Sequence, residues 1–253
     1  MTRMFTSLDP ILEKHNMKPG HNNMKLLLPM VVLIWLTIPS TGSATENDFG
    51  TWTTFSTTDA FQTDGQDSRW HYWFDAQARY FDLGSGINQW LVRPAIGYEF
   101  RNSVKGWAGY ARFRTRNRVG SVADENRYWQ QIEWPAVDWN GGRVAMRVRL
   151  EQRSISTGDD IGLVARFRAN YVRPVGEKGD TSLVVAIEPF FDLRDTDWGG
   201  DDGLGQNRVS ILLGRRLSDS VSIEAGYMNQ YIWADSGENR INHFGVLNFK
   251  VRL

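Results

Sequence analysis

The chain has 253 residues, no cysteine, and equal numbers of basic and acidic residues, 29 of each, so its formal net charge is zero. Neutrality argues against binding to nucleic-acid phosphates through a net positive field, and the lack of cysteine excludes disulfides, Cys-ligated metals and thiol nucleophiles. A mean hydropathy of −0.43 excludes a bundle of membrane helices, but it is compatible with a membrane β-barrel, in which only alternate residues face lipid.

The first recognisable element is an export signal. Lys25 precedes an apolar run from Leu26 to Ile38, and the small residues at 42–44 suit signal peptidase. The run is short for a membrane span and typical of a signal-peptide core, which leaves a single membrane anchor as the less favoured alternative. We therefore interpret 1–23 as an N-terminal extension with a mis-assigned start, 24–44 as a cleaved signal peptide and 45–253 as an outer-membrane β-barrel.

The region after the signal is a succession of segments in which apolar and polar residues alternate. In the segment 70–80 the even positions are apolar, whereas the odd positions include His71, Asp75 and Arg79. Alternation with a period of two predicts a β-strand. Similar segments continue to the end of the chain, and turn residues such as Asp64-Gly65 and Asn140-Gly141 separate them.

These segments predict an all-β fold, an up-and-down antiparallel transmembrane β-barrel. Each runs for about 10–13 residues, close to the length that a tilted strand needs to cross a bilayer. Aromatic residues near segment ends, among them Trp70, Tyr80, Trp107 and Phe113, are interpreted as girdles at the membrane interfaces. A soluble barrel or sandwich that buries the apolar face is the alternative. The final segment, 247–253, resembles the C-terminal signal read by the barrel-assembly machinery.

Loop lengths set the predicted topology. Short connections at 101–103 and 218–220 are expected in the periplasm, and longer ones at 116–124 and 194–205 outside the cell. Counting back from a last strand at 242–253 leads to ten strands with both ends periplasmic. The block 49–61 would be an eleventh strand, which breaks the even number of strands, and it is interpreted as a partial strand or a segment inside the lumen. Twelve strands remain an alternative.

Five ordered motifs carry a family resemblance. They are Arg127–Gln131, Arg149–Arg153, Phe190–Gly199, Gln206–Arg208 and Ala225–Tyr231. Together they resemble a bacterial family catalogued as domain of unknown function 2490, and the resemblance extends over about 50–253. It implies a β-barrel in the outer membrane of a Gram-negative bacterium, and it implies no activity, substrate or catalytic residue.

The polar faces of the strands are expected to line a lumen rich in arginine and glutamate. Arginine suits such a site because its planar guanidinium pairs bidentately with carboxylates. The predicted lumen network is Arg112, Arg114, Arg127, Arg147, Arg149, Glu151, Arg153, Arg166, Arg168, Glu188, Asp192, Arg208 and Glu224. Ten to twelve strands lie between the filled eight-stranded barrel and the aqueous channel of large porins. Two functions therefore stay open: a structural barrel closed or narrowed by ion pairs, and a small anion-preferring porin.

An outer-membrane hydrolase or lipid-modifying acyltransferase is a third alternative. The two histidines after the signal, His71 and His243, are predicted at opposite ends of the barrel, so they cannot form one site; His243 beside Asp235 and Ser236 is the remaining possibility. We expect no enzyme, no cofactor and no metal site. The acidic segment 192–202 does not match the spacing of a calcium loop and is interpreted as a solvated loop, with ion-mediated contact to lipopolysaccharide as the alternative.

The expected partners are outer-membrane lipids, lipopolysaccharide and, during biogenesis, the barrel-assembly machinery. Nucleic acid is not expected, because basic and aromatic residues lie on opposite faces of each strand instead of sharing one surface.

Overall fold

Eleven β-strands make up the part of the chain that the structure describes. This computed structural model describes residues 45–83, 86, 88–117, 119–176, 179–234 and 238–252, and the predicted extension and signal peptide lie outside these ranges. The strands are β1 (Thr45–Thr63), β2 (Gln66–Tyr80), β3 (Asn88–Glu99), β4 (Lys105–Arg116), β5 (Val122–Trp139), β6 (Gly142–Ile155), β7 (Ile161–Val175), β8 (Thr181–Asp192), β9 (Gly203–Arg216), β10 (Val221–Ile232) and β11 (Asn239–Val251). No helix in the described ranges is long and apolar enough to cross a membrane.

The strands close into a barrel in chain order, which confirms the predicted all-β up-and-down fold. Consecutive strands pair antiparallel, as in β2 with β3 and β10 with β11. The closing pair differs, because β1 lies parallel to β11 with Thr45 opposite Asn239 and Thr57 opposite Val251.

The strand count corrects the expected ten, and also the alternative of twelve. An even number follows only when every neighbouring pair, including the closing one, is antiparallel. A parallel closing pair permits eleven strands. It also places the start of β1 and the end of β11 at opposite ends of the barrel, so the expectation that both lie on the same side is wrong. The block at 49–61, interpreted from the sequence as a partial strand or a lumen segment, is instead the centre of the 19-residue strand β1, which pairs with both β2 and β11.

The two ends of the barrel differ in the length of the connections that they carry. At the short-turn end, two-residue turns join β1 to β2 and β5 to β6, and both residues of each turn have positive φ: 51° and 75° at Asp64-Gly65, 47° and 74° at Asn140-Gly141. Such turns match the right-handed twist of paired strands, and Asn-Gly or Asp-Gly adopts them at little strain. The opposite, long-loop end carries the connections 117–121, 156–160 and 193–202.

Alternation along each strand separates the wall into two faces. In β2 the side chains of Trp70 and Tyr80 are exposed, whereas Asp75 and Arg79 are buried. The even positions of this strand from Trp70 to Tyr80, which are apolar, therefore face outward, and the odd positions between them, which are polar apart from Trp73, face the interior, as the sequence predicts.

Strand β4 reverses this arrangement. Trp107 and Phe113 are only 6% and 2% exposed and face the interior, so their predicted place in an outer aromatic girdle is wrong. Arg112 and Arg114 occupy the alternate positions and point outward, and the expectation that they line the lumen does not hold. The reason lies on the neighbouring strand β5: the Arg127 guanidinium stacks on the Phe113 ring at 3.8 Å, an interior contact that the sequence of β4 alone cannot reveal.

Candidate functional site

The barrel interior is the candidate site, because it holds most of the charged residues singled out in the sequence. Strands β5 to β9 project alternate side chains inward, as the pleat requires. Nine of the predicted lumen residues lie on the inward positions of these strands: Arg127, Arg147, Arg149, Glu151, Arg153, Arg166, Arg168, Glu188 and Arg208. Asp192 lies nearer the long-loop end, as the last residue of β8. Glu224 lies near the short-turn end, where it pairs with Lys250 at 2.6 Å.

Glu151 is the centre of this group. Its side chain is 1% exposed, and four guanidinium groups surround it. Arg166 contacts Oε1; Arg153 and Arg127 contact Oε2 at 2.7 and 3.2 Å; Arg149 lies 3.7 Å from Oε1. A carboxylate in a dry interior is stable only when charge and hydrogen bonds compensate its lost hydration, and these four arginines provide that compensation.

Glu188 forms a second centre that shares one arginine with the first. Arg166 donates to Glu188 Oε1 from Nε at 2.9 Å and from Nη2 at 2.6 Å. Arg147 contacts the same oxygen, and Arg168 lies 3.7 Å from Oε2. Arg166 therefore joins the two carboxylates, and the ion pairs form one network from β5 to β8.

A separate pair lies on the facing wall, on β2 and β3. Arg93 donates from Nε and Nη2 to Asp75 Oδ2 at 3.0 and 2.6 Å, and both side chains are buried. Neither residue belongs to the predicted network, although both stand on the polar face of their strands. The alternation of polar and apolar residues along β2 and β3 was the signal by which Asp75 and Arg93 could have been included in the predicted network.

Aromatic rings fill much of the space between the charges, which the sequence analysis did not foresee. Arg149 stacks on Trp129 at 4.0 Å and Arg79 on Trp52 at 3.6 Å. Trp73 packs edge-on against Trp129, with ring centroids 5.5 Å apart. Guanidinium groups over aromatic faces are stabilised by the ring quadrupole, more strongly where water is absent. The interior is therefore a layered packing of arginine and tryptophan around two glutamates.

Two inward glycines make this packing possible. A Cβ at Gly109 would overlap the Trp129 ring, and one at Gly97 would overlap the Trp107 ring. Glycine inside a strand often marks a place where another group approaches closely. Alternation indicates that Gly97 lies on the inward phase of β3, whereas the inward phase of β4, and therefore the place of Gly109, is decided by the tertiary structure.

Arginines outnumber carboxylates around Glu151 and Glu188. Arg79 and Arg208 have no carboxylate oxygen within 4.0 Å among the described residues, and amide oxygens and rings surround them instead. Three buried side-chain N–H donors lack a hydrogen-bond acceptor in the described structure: Arg149 Nη1, Arg147 Nε and Trp129 Nε1. Unpaired donors of this kind are unusual in a buried site.

The histidines lie in different surroundings. His71 faces the interior near the short-turn end, where its Nε2 is 3.2 Å from Glu99 Oε2 and Lys105 shares that carboxylate at 3.3 Å. His243 faces outward; its Nδ1 contacts the Tyr227 hydroxyl at 2.6 Å and its ring stacks on Phe49. Asp235 and Ser236, the rim partners predicted for His243, lie outside the described residues.

Carboxylates at the long-loop end hold two loops together. Asp197 accepts hydrogen bonds from the backbone N–H groups of Asp159 at 2.8 Å and Asp160 at 3.2 Å, and Asp160 in turn accepts from the N–H of Asp197. Trp198 Nε1 donates to the Asp160 carbonyl at 2.9 Å. Within the described ranges, no group of three His, Asp or Glu side chains is arranged to hold a metal ion. These hydrogen bonds through Asp197 and Trp198 join the connection 193–202 to the connection 156–160.

This contact is expected to weaken in acid. The backbone N–H donors hold the pKa of Asp197 below its ordinary value. A carboxylate with a lowered folded-state pKa contributes stability that is complete above its unfolded pKa of about 3.9 and is lost as pH falls through the lower folded value. Amide hydrogen exchange should show falling protection factors at Asp159 and Asp160 in this acid range. Asp197→Asn should abolish that pH dependence; Asp219→Asn, at the opposite end, should leave it intact.

The comparisons with known proteins support the motif-based resemblance. Residues 49–242 match a family described as protein of unknown function (DUF2490). An uncharacterized protein of Methylorubrum extorquens is 31% identical over 185 residues, which cover 72% of this chain and 80% of that protein. The family match begins in β1 and ends in β11, so the similarity extends along the barrel.

Proposed function

Because the chain belongs to the DUF2490 family, whose description carries no activity, we propose its function from the barrel itself: an outer-membrane β-barrel whose interior is closed by an arginine–glutamate–tryptophan cluster. The outer wall supports the location. Strands of 12 to 19 residues exceed the length needed to cross a bilayer. Along β6 to β9 the outward positions carry residues such as Val148, Phe167 and Ile211, all exposed, as a lipid-facing wall requires.

The burial of Glu151 among four arginines is the main observation that supports a closed interior. An aqueous pore would leave these groups hydrated, whereas Glu151 and Arg149 have side-chain exposures of 1% and 0%. Biogenesis in this proposal uses a signal peptide and the barrel-assembly machinery, and the role is structural. We assign no reaction, because His71 and His243 face opposite sides of the wall.

Planar-bilayer recording tests the closed state directly. We expect the wild-type protein, inserted into a bilayer, to show no conductance steps. Trp129→Ala/Arg149→Ala removes two stacked interior groups and should produce measurable steps, since the cluster then loses a fully buried indole and the guanidinium on it. Heat-dependent electrophoretic migration provides the check that both proteins are folded. Steady conductance of the wild type would overturn the closed state.

A small anion-preferring porin is the second candidate, favoured by the excess of arginine around Glu151 and Glu188 and by the three buried N–H donors without acceptors. In that case the wild-type protein conducts, and its reversal potential in a salt gradient shows anion preference. A cation-selective reversal potential would contradict this candidate as well.

The membrane location has its own test. The folded protein should float with vesicles of outer-membrane lipid in a density gradient and should resist extraction by carbonate. A protein that stays in the dense fractions would overturn the location and favour a barrel that lies in water.

A further inference from the structure

The outer wall carries a row of three arginines on β4: Arg112, Arg114 and Arg116. Because Trp107 and Phe113 face the interior, the even positions of this strand project outward. The side chains of Arg112 and Arg114 are 36% and 51% exposed. The row lies on the last residues of β4 before the connection 117–121, so it is at the long-loop end.

These arginines border a shallow groove. Asn88, Trp90, Arg114, Arg116 and Val122 line it, and it encloses about 270 Å³. The strand register explains the grouping, because Trp90 lies opposite Arg114 and Asn88 lies opposite Arg116. An exposed indole therefore stands beside two guanidinium groups on one surface.

The groove keeps a positive charge. Asp124 lies 3.0 Å from Arg112 and 3.9 Å from Arg114, and one carboxylate cannot neutralise the three arginines of the row. Nearer to the short-turn end on the same wall, the rings of Tyr110 and Tyr128 pack with centroids 5.4 Å apart. Aromatic rings favour the headgroup level of a membrane, so the arginines stand at or above that level.

We propose that this arginine groove binds the phosphate groups of lipopolysaccharide, the phosphorylated glycolipid of the outer leaflet. The inference rests on the proposed outer-membrane location, in which the long-loop end meets that leaflet. Guanidinium groups pair bidentately with phosphate, whereas arginines facing hydrocarbon are costly. A second copy of the chain is a poorer occupant, because a two-fold contact through this row would bring like charges together.

Native mass spectrometry of the folded protein tests the assignment, with bis-phosphorylated lipid A as the probe. The wild type should retain lipid A. R114Q/R116Q should bind it about tenfold more weakly or worse, because two charge-assisted contacts to phosphate are lost. The matched control is R173Q/R215Q, which removes two arginines from the outer wall at the short-turn end and should bind like the wild type.

Three outcomes would overturn the proposal. The wild type could retain dephosphorylated lipid A as well as the bis-phosphorylated form, both double variants could lose lipid A binding equally, or the protein could be a dimer that R114Q/R116Q dissociates. The first would indicate capture through acyl chains, the second a general charge effect, and the third a protein interface. Vesicle flotation of the same samples separates these outcomes from a failure of the membrane location. A protein that floats with the vesicles but does not bind lipid A would contradict the proposed groove and leave the membrane location standing.

Discussion

Replacing Glu151 by glutamine should lower the free energy of unfolding by about 3–5 kcal/mol, the range measured when one partner of a buried ion pair is removed. Four arginines contact or adjoin this carboxylate. An amide of the same size keeps an acceptor oxygen but leaves the guanidinium charges facing one another in a dry interior. Urea unfolding of the protein refolded into lipid vesicles measures the change.

Asp138→Asn is the matched control. It also neutralises a carboxylate paired to arginine, since Asp138 Oδ1 lies 2.8 Å from Arg143 Nε, but the Asp138 side chain is 62% exposed. Exposed pairs contribute about 0–1 kcal/mol, so this variant should unfold at nearly the wild-type urea concentration. Equal, small effects of both substitutions would show that water reaches Glu151 and would count against the closed interior.

Truncating Trp129 to alanine should lower the free energy of unfolding by about 3–5 kcal/mol, the range for large aromatic residues in cores. The indole is fully buried, carries the Arg149 guanidinium on one face at 4.0 Å and packs edge-on against Trp73. Its removal leaves a cavity and exposes Arg149 to an unfilled space. The same urea unfolding experiment measures the loss.

Two further variants separate packing from a general sensitivity to tryptophan loss. Trp139→Ala removes an exposed indole that packs edge-on against Tyr171 at the short-turn end, and it should cost about 1 kcal/mol. Gly109→Val should destabilise the wild type by about 1–3 kcal/mol, because its side chain overlaps the Trp129 ring. In the Trp129→Ala background that penalty should shrink or reverse; an unchanged penalty would show that the two positions are not coupled.

Much of the architecture could be predicted from local sequence. Alternation identified the strands after β1, and the turn residues at Asp64-Gly65 and Asn140-Gly141 have the positive φ angles that such dipeptides favour. The polar face of β6 and β7 correctly brought Glu151 and Arg166 to the same interior. These features depend on residues near one another in the chain, which is why a single sequence carries them.

Three features could not be predicted in this way. The parallel pairing of β1 with β11 joins segments from opposite ends of the barrel region, and a parallel ladder leaves no short-range pattern. The orientation of β4 was ambiguous, because one face carries arginines and the other carries Trp107 and Phe113. The packing of Trp129 on Arg149 and over Gly109 joins β4, β5 and β6 in three dimensions.

The sequence by itself determined that this protein is a β-barrel of the DUF2490 type with arginine and glutamate on strand faces. Period-two alternation and turn chemistry are local properties, and each strand carries its own. Only the tertiary structure decided that eleven strands close the barrel, that the interior is packed around Glu151, and that the β4 arginines face outward. Those outcomes depend on which face each strand presents to the other strands of the barrel. The interior must compensate every buried charge and fill the space between the side chains.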